Sequence, residues 1–215
     1  MRDRDHPLLA REGWLHVTLI VTAAVVASIW VGSWLAAVLW VVAVFIIQFF
    51  RDPPRDIPAG VNLAVCPADG KVVFAGHAQD PYLNRPAFKV SIFMNVFSVH
   101  SNRIPVSGVI REQWYRHGRF VNAVLDKASE ENERNAVWLE SESAGDVVCV
   151  QVAGLIARRI ICYVQPGDRV RCGQRYGFIR FDSRVDVFLP TGFEPAVRLG
   201  DNVKAGSRVL GRFMG

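Results

Sequence analysis

Tyr176-Gly-Phe-Ile-Arg-Phe-Asp-Ser-Arg-Val-Asp-Val-Phe-Leu-Pro190 reads as two β-strands that meet at Asp182-Ser183. Before the serine, Phe178, Ile179 and Phe181 are interrupted only by Arg180. After it, Val185, Val187 and Leu189 alternate with Arg184, Asp186 and Phe188, the period-two pattern of a strand with a buried face. Asp-Ser is also an ordinary turn pair, because both side chains bond nearby backbone. A serine at a corner between two anchored strands, however, is held in one geometry, and chemistry on the backbone needs that.

Outward from this corner the chain from Val61 onward is mostly short strands. The pattern predicts them near 71–76, 88–94, 108–116, 135–140, 146–153, 159–164, 175–181 and 184–189, with the polar stretch Asp126–Asn135 as a loop. Val164-Gln-Pro-Gly-Asp-Arg-Val-Arg-Cys-Gly and Val197-Arg-Leu-Gly-Asp-Asn-Val-Lys-Ala-Gly share the pattern V-x-x-G-D-x-V-x-x-G. Two copies are too few for a solenoid. They predict two similar hairpins related by pseudo-symmetry, with glycines in the tight turns and valines toward the core. The pattern is similar to the turns of lipoyl- and biotinyl-carrier domains, although no lysine stands at a matching hairpin tip. The predicted fold is mainly β: one β-rich α+β domain over 61–215.

The N-terminus differs. Residues 14–30 and 34–50 carry no formal charge, and Gly32-Ser33 separates them. At 1.5 Å per residue each reaches about 26 Å, close to a hydrocarbon core of about 30 Å. A hydrophobic helical hairpin over 1–50 follows, crossing fully or re-entrant. A secretory leader would need a small-residue cleavage site, and Phe49-Phe50-Arg51-Asp52-Pro53-Pro54 offers none. Arg2, Arg4 and Arg11 precede the pair and Arg51 and Arg55 follow it, which predicts both ends in the cytoplasm. Residues 51–60, with three prolines, form a stiff extended linker. The expected location is the inner cell membrane, with the β-domain on the cytoplasmic side.

A net charge of +5 suits an anionic membrane surface better than nucleic acid, since no Lys/Arg run with interleaved aromatics occurs. Cys66, Cys149, Cys162 and Cys172 form no CxxC and no His/Cys metal spacing. They are expected to be reduced, buried thiols, and no metal site is expected.

Three local features carry potential chemistry. Asp69 stands in the turn Pro67-Ala-Asp-Gly70, His100 ends an apolar run in Asn95–Pro105, and Ser183 sits at the corner. Each has an ordinary structural role open to it, as turn residue, packed histidine and turn serine. They form a catalytic set only if the fold brings them together. No G-x-S-x-G elbow is present, which disfavours a conventional serine hydrolase. Ser207, after Gly206, reads as a turn serine of the second repeat.

Together with the apolar hairpin, Phe50-Arg-Asp-Pro53, Pro67-Ala-Asp-Gly70, Val99-His-Ser-Asn-Arg-Ile-Pro105, Asn122–Asn135, Ala157-Arg-Arg159 and Arg180-Phe-Asp-Ser-Arg-Val-Asp186 occur in the order of one family. The chain resembles the short, bacterial and archaeal type of phosphatidylserine decarboxylase over nearly its whole length. The resemblance implies a self-made cofactor. Ser183 attacks the preceding carbonyl, the chain breaks between Asp182 and Ser183, and a pyruvoyl group remains on the new N-terminus. His100 would take the hydroxyl proton and Asp69 would orient the imidazole. The pyruvoyl carbonyl then forms a Schiff base with the serine amine of phosphatidylserine and acts as the electron sink for decarboxylation. The implied partners are this anionic phospholipid, the membrane, and the large and small chains of the same precursor; a homo-oligomer is left open. Asn122, Arg158 and Arg159 are the candidates for substrate contacts, the two arginines toward the headgroup phosphate.

One departure from the family pattern is Asp182, where the family has glycine. Aspartate adds a β-carbon, and its charge opposes the oxyanion that develops during attack, so it should slow the acyl shift. Other pyruvoyl families tolerate a non-glycine residue here. Two alternatives follow: a non-cleaving relative that binds phospholipid, and a membrane-tethered serine hydrolase.

Overall fold

The computed structural model describes residues 7–60, 62–118, 132–154, 159–180 and 183–214. The chain divides into two compact units, Arg4–Pro54 and Arg55–Gly215.

In the first unit, a 3-10 turn (Arg11–Gly13) runs into α1 (Trp14–Trp30), and α2 (Ser33–Phe49) follows. The break falls at Gly32, whose φ of 137° is open to glycine and strained for other residues. Both helices are apolar on every side. Their buried members are mainly Ala24, Ala27, Ala36 and Ala43, small residues that let two backbones approach closely. Leu15, Leu19, Ile29, Val41 and Val44 remain exposed, the pattern of helices whose surroundings are themselves apolar. Arg11–Trp30 is long and apolar enough to cross a membrane. The open end of the pair is tied by Ala10 N–H to the Phe50 carbonyl (2.8 Å) and Asp52 N–H to the Leu8 carbonyl (2.7 Å).

The second unit consists of strands β1 (Leu63–Val65), β2 (Gly70–Asp80), β3 (Arg85–Met94), β4 (Ser101–Arg103), β5 (Gly108–Arg116), β6 (Arg134–Ser141), β7 (Gly145–Ala153), β8 (Ile160–Cys162), β9 (Arg169–Val170), β10 (Arg175–Ile179), β11 (Ser183–Leu189), β12 (Phe193–Pro195), β13 (Asn202–Val203) and β14 (Val209–Phe213). They form an eight-stranded antiparallel sheet in the order β13-β2-β3-β11-β7-β6-β5-β9 and two three-stranded sheets, β1-β14-β12 and β4-β10-β8. The predicted strands recur with their ends adjusted by a few residues. The short β1, β4, β9, β12, β13 and β14 were not predicted, since two to five residues carry too little periodicity to register.

The sheet order reads alike from both ends, and so does the register. Lys71↔Phe93 with a bulge after Val72 is matched by Val109↔Glu140 with a bulge after Ile110. Ala64↔Gly211 is matched by Asn102↔Gly177, and Val203↔Gly70 by Val170↔Gly108. Gly200 and Gly167 of the two sequence repeats donate to the carbonyls of Val72 and Ile110, each at 2.8 Å. The unit is therefore a pseudo-dyad. One half comprises β1–β3 with β11–β14, and the other β4–β10. The second half is inserted into the β3–β11 hairpin of the first. Met94↔Ser183 corresponds to Ser141↔Gly145, where an ordinary short turn closes the hairpin. Ser183 is thus where the chain re-enters the first half.

Strand β11 is central. Val185, Val187 and Leu189 face the main core with Ile92, Met94, Cys149 and Tyr176, while Phe188 packs on the opposite face with Ala87, Ala136, Val148 and Val150. β10 ends at Ile179 and β11 begins at Ser183, so the two strands flanking the anticipated corner belong to different sheets; Phe181 and Asp182 lie outside the described residues.

Candidate active site

Ser183 opens β11 in register with Met94 of β3 and Ala153 of β7. It is fully buried, and its Oγ has no hydrogen-bond partner among the described residues. A buried hydroxyl normally finds a partner; the hydroxyls of Ser91 and Tyr176 share this condition among the described residues, and Ser183 differs from them in standing at the first position of β11. Neighbouring backbone is firmly held: Asn132 Nδ2 donates to the Ala153 carbonyl (2.7 Å), and Ala153 N–H donates to the Glu133 carbonyl (2.9 Å). Asp182, Asn122 and Arg158 lie outside the described residues.

His100 immediately precedes β4 and is fully buried. Its carbonyl accepts from Ile179 N–H at 3.2 Å, and its ring lies 6.2 Å from that of Phe178. Asn102, two residues on within β4, donates to Met94 Sδ at 3.6 Å. The strand that follows His100 therefore abuts the residue paired with Ser183.

The turn that carries Asp69 touches the same strand, where Arg103 N–H donates to the Pro67 carbonyl (2.8 Å). The Asp69 carboxylate accepts from Arg55 Nη2 at 2.9 Å on both oxygens and from Ala205 N–H at 2.7 Å. Both side chains of this ion pair are largely buried. The pseudo-dyad supplies a comparison. Ser107 takes the place of Asp69 in the other half, and its Oγ accepts from Cys172 N–H at 2.9 Å. Closing this turn is a duty of the fold; the carboxylate and its arginine are particular to Asp69.

Arg159 is exposed just before β8. Its charge partly offsets the rise of the Tyr115 phenol, which partial burial, then a short hydrogen bond to Glu133 and the charge of Glu133, push up to about 12. Among the described residues no group of three His, Cys, Asp or Glu side chains gathers as a metal site. The four cysteines are free thiols, and burial pushes Cys66 up to about 12 and Cys172 up to about 11.

The sequence reading did not single out Arg55, Asn102, Asn132 or Gln151. A polar residue at an inward position of Val147–Ala153 was the available signal for Gln151, and the second arginine of Arg51-Asp-Pro-Pro-Arg55 for the clamp on Asp69.

A half-inserted pseudo-dyad with a buried serine at its re-entry point is the structural class; comparison with known proteins supplies the family. The model of the phosphatidylserine decarboxylase family matches residues 42–211. Relatives named phosphatidylserine decarboxylase proenzyme include those of Nitrosomonas eutropha, 54% identical over 97% of this chain and 96% of the relative, and Aromatoleum aromaticum, 55% identical over 95% of each. That of Cupriavidus metallidurans is 54% identical, again over 95% of each. The chain belongs to the phosphatidylserine decarboxylase family.

Proposed function

We propose that this chain is a phosphatidylserine decarboxylase proenzyme that cuts itself between Asp182 and Ser183 and then removes the serine carboxyl of phosphatidylserine, giving phosphatidylethanolamine. The observation that carries the reading is the Ser183 hydroxyl: buried, unpartnered among the described residues, and located where the inserted half rejoins the sheet. Such an atom fits the precursor of a pyruvoyl group.

His100 takes the Oγ proton as Oγ attacks the Asp182 carbonyl carbon. The peptide C–N bond then breaks, the new ester links Asp182 to the serine oxygen, and the amine of Ser183 accepts the proton. Loss of the Ser183 Cα proton expels the main-chain carboxylate of Asp182 and leaves a dehydroalanine, whose imine tautomer adds water and loses ammonia, so that the new terminus is a ketone. Once formed, the pyruvoyl group supplies an electron sink for loss of carbon dioxide. Asp69 serves His100 from a fixed position. Three of the roughly four acceptor sites of a carboxylate are taken by Arg55 and Ala205, which leaves one for a further donor. Arg159, with Asn122 and Arg158, is assigned to the substrate headgroup. Strand β11 is hydrogen-bonded along both edges, so the small chain stays in the sheet after cleavage.

The apolar helix pair is assigned to the inner membrane, holding the site at the interface where the headgroup lies, with the β-unit on the cytoplasmic side. Intact mass under denaturing conditions tests the reading. Two chains splitting at 182/183 are expected, the small one carrying a ketone that hydroxylamine modifies, with a single 24.0 kDa chain in Ser183→Ala. A single unmodified chain in the unsubstituted protein overturns it and favours a phospholipid-binding relative blocked by Asp182.

A further inference from the structure

A row of amides crosses the core of the second half. Gln113 Nε2 donates to Asn135 Oδ1 (2.8 Å), Asn135 Nδ2 to Gln151 Oε1 (3.0 Å), Gln151 Nε2 to Asn102 Oδ1 (2.8 Å), and Asn102 Nδ2 to Met94 Sδ (3.6 Å). Asn102, Asn135 and Gln151 are fully buried. Burying amides costs free energy even when they are paired, and more if one partner is missing. Some return is therefore to be expected.

The molecule contains its own control. By the matched registers, Asn102 corresponds to Ala64, Gln113 to Ala75, Asn135 to Phe88 and Gln151 to Leu189. The first half therefore builds the same strands in the same register with apolar side chains at all four places. The fold does not require the amides. The glycines beneath them make the same point. A β-carbon on Gly177 would stand 2.4 Å from Gln151 Nε2, whereas one on the matching Gly211 would meet the Phe193 ring at 2.3 Å.

The row also has a direction. Gln151 lies on β7, the strand whose Ala153 pairs with Ser183, and crosses to Asn102 on β4, the strand that follows His100. Asn102 in turn touches Met94, the other register partner of Ser183. Directional hydrogen bonds fix a separation and a register where apolar packing tolerates sliding. We propose that Gln151 is a positioning residue for self-cleavage, holding through Asn102 the strand that follows His100 at a set distance from the strand that begins at Ser183. The proposal rests on the self-cleavage reading above.

The test uses the full-length protein in detergent, with Gln151→Leu and Gln151→Glu, and follows both cleavage rate and backbone deuterium exchange over residues 99–104. A displacement near 1 Å is enough to cost up to about 100-fold in rate, so Gln151→Leu is expected to cleave at least about tenfold slower and to exchange faster over 99–104. In Gln151→Glu, the protonated carboxyl would reproduce the two bonds of the row, donating to Asn102 and accepting from Asn135, and would give up only the longer one from Nε2 to the Ile161 carbonyl (3.5 Å); burial favours that form. Once ionised, the carboxylate loses the donor. The Gln151→Glu rate relative to the parent is thus expected to fall at least about tenfold between about pH 6 and pH 9, a dependence that a merely structural role would not create. Parental rates for both variants, with no such pH dependence, overturn the proposal. If Gln151→Leu does not fold, the Gln151→Glu profile decides. If the parent itself does not cleave, the self-cleavage reading fails separately, and exchange over 99–104 still decides whether the link exists: unchanged exchange in both variants overturns it.

Discussion

Asp69 combines two tasks that the pseudo-dyad separates. Closing the turn needs only an acceptor for one N–H, and Ser107 provides it in the other half with a hydroxyl. The carboxylate additionally pairs with Arg55, whose side chain is 7% exposed. Removing one partner of a buried pair strands the other charge, at about 3–5 kcal/mol. Asp69→Ser should therefore keep the turn yet lower the melting temperature by about 6–20 °C, taking about 2–4 °C per kcal/mol for a chain of this size. Adding Arg55→Leu should recover most of that loss, because the stranded charge is then gone. Melting of the two single variants and the double variant in detergent checks this; additive losses would show that the pair is not the source. At this scale the sequence was a partial guide. Asp69, His100 and Ser183 could each be singled out as candidates, but their partners could not. Arg55 and Ala205 meet Asp69 from opposite ends of the β-unit's sequence, and no local pattern encodes such a meeting. Arg55 was visible only as a linker charge.

Among the elements, the long strands were legible because six or more alternating residues give a clear period, and the helices because two uncharged runs flank a glycine. The short strands were not, and with them went the pseudo-dyad. The V-x-x-G-D-x-V-x-x-G repeat was its visible part. Its companion, Pro67-Ala-Asp-Gly-Lys-Val72 against Pro105-Val-Ser-Gly-Val-Ile110, shares only proline, glycine and an aliphatic residue, too little to notice without the register. The matched glycines of β10 and β14 turn this symmetry into a measurement. Adding a methyl at Gly177 drives it against Gln151 Nε2 (2.4 Å) and the Ile161 carbonyl oxygen (2.6 Å); at Gly211 it meets the Glu194 carbonyl oxygen (2.2 Å) and Phe193. Both alanine variants should lose about 1–3 kcal/mol from overpacking. Only Gly177→Ala displaces the Gln151 amide, so it alone should slow self-cleavage beyond what its melting temperature explains. Equal slowing in Gly211→Ala would assign the effect to general destabilisation.

Over the whole molecule the β-unit's interior is apolar but dotted with weak acids. Burial pushes Cys66 from 9.0 up to about 12, against an opposing pull from Arg208 and with a further push from Asp69. Burial likewise raises Cys172 to about 11 and lifts Cys149 and Tyr176 well above their usual ranges. In the unfolded chain these groups lose their protons near their ordinary values of 9.0 and 10.0. Above pH 9 the unfolded state therefore binds fewer protons than the native one, and stability must fall as pH rises. Their contribution is fully present below about pH 9 and is lost progressively as pH climbs through 11 and 12, the raised values of Cys172 and Cys66. The melting temperature should accordingly be flat from neutral pH to about 8 and then decline steeply. Cys66→Ala should make that decline shallower, because one of the acids held protonated by the fold has been removed. A melting temperature that stays level to pH 11, or a decline unchanged by Cys66→Ala, would mean that the thiol is reached by water in the native state. The packing of Cys66 between β1 and the Asp69 turn would then be looser than its complete burial implies.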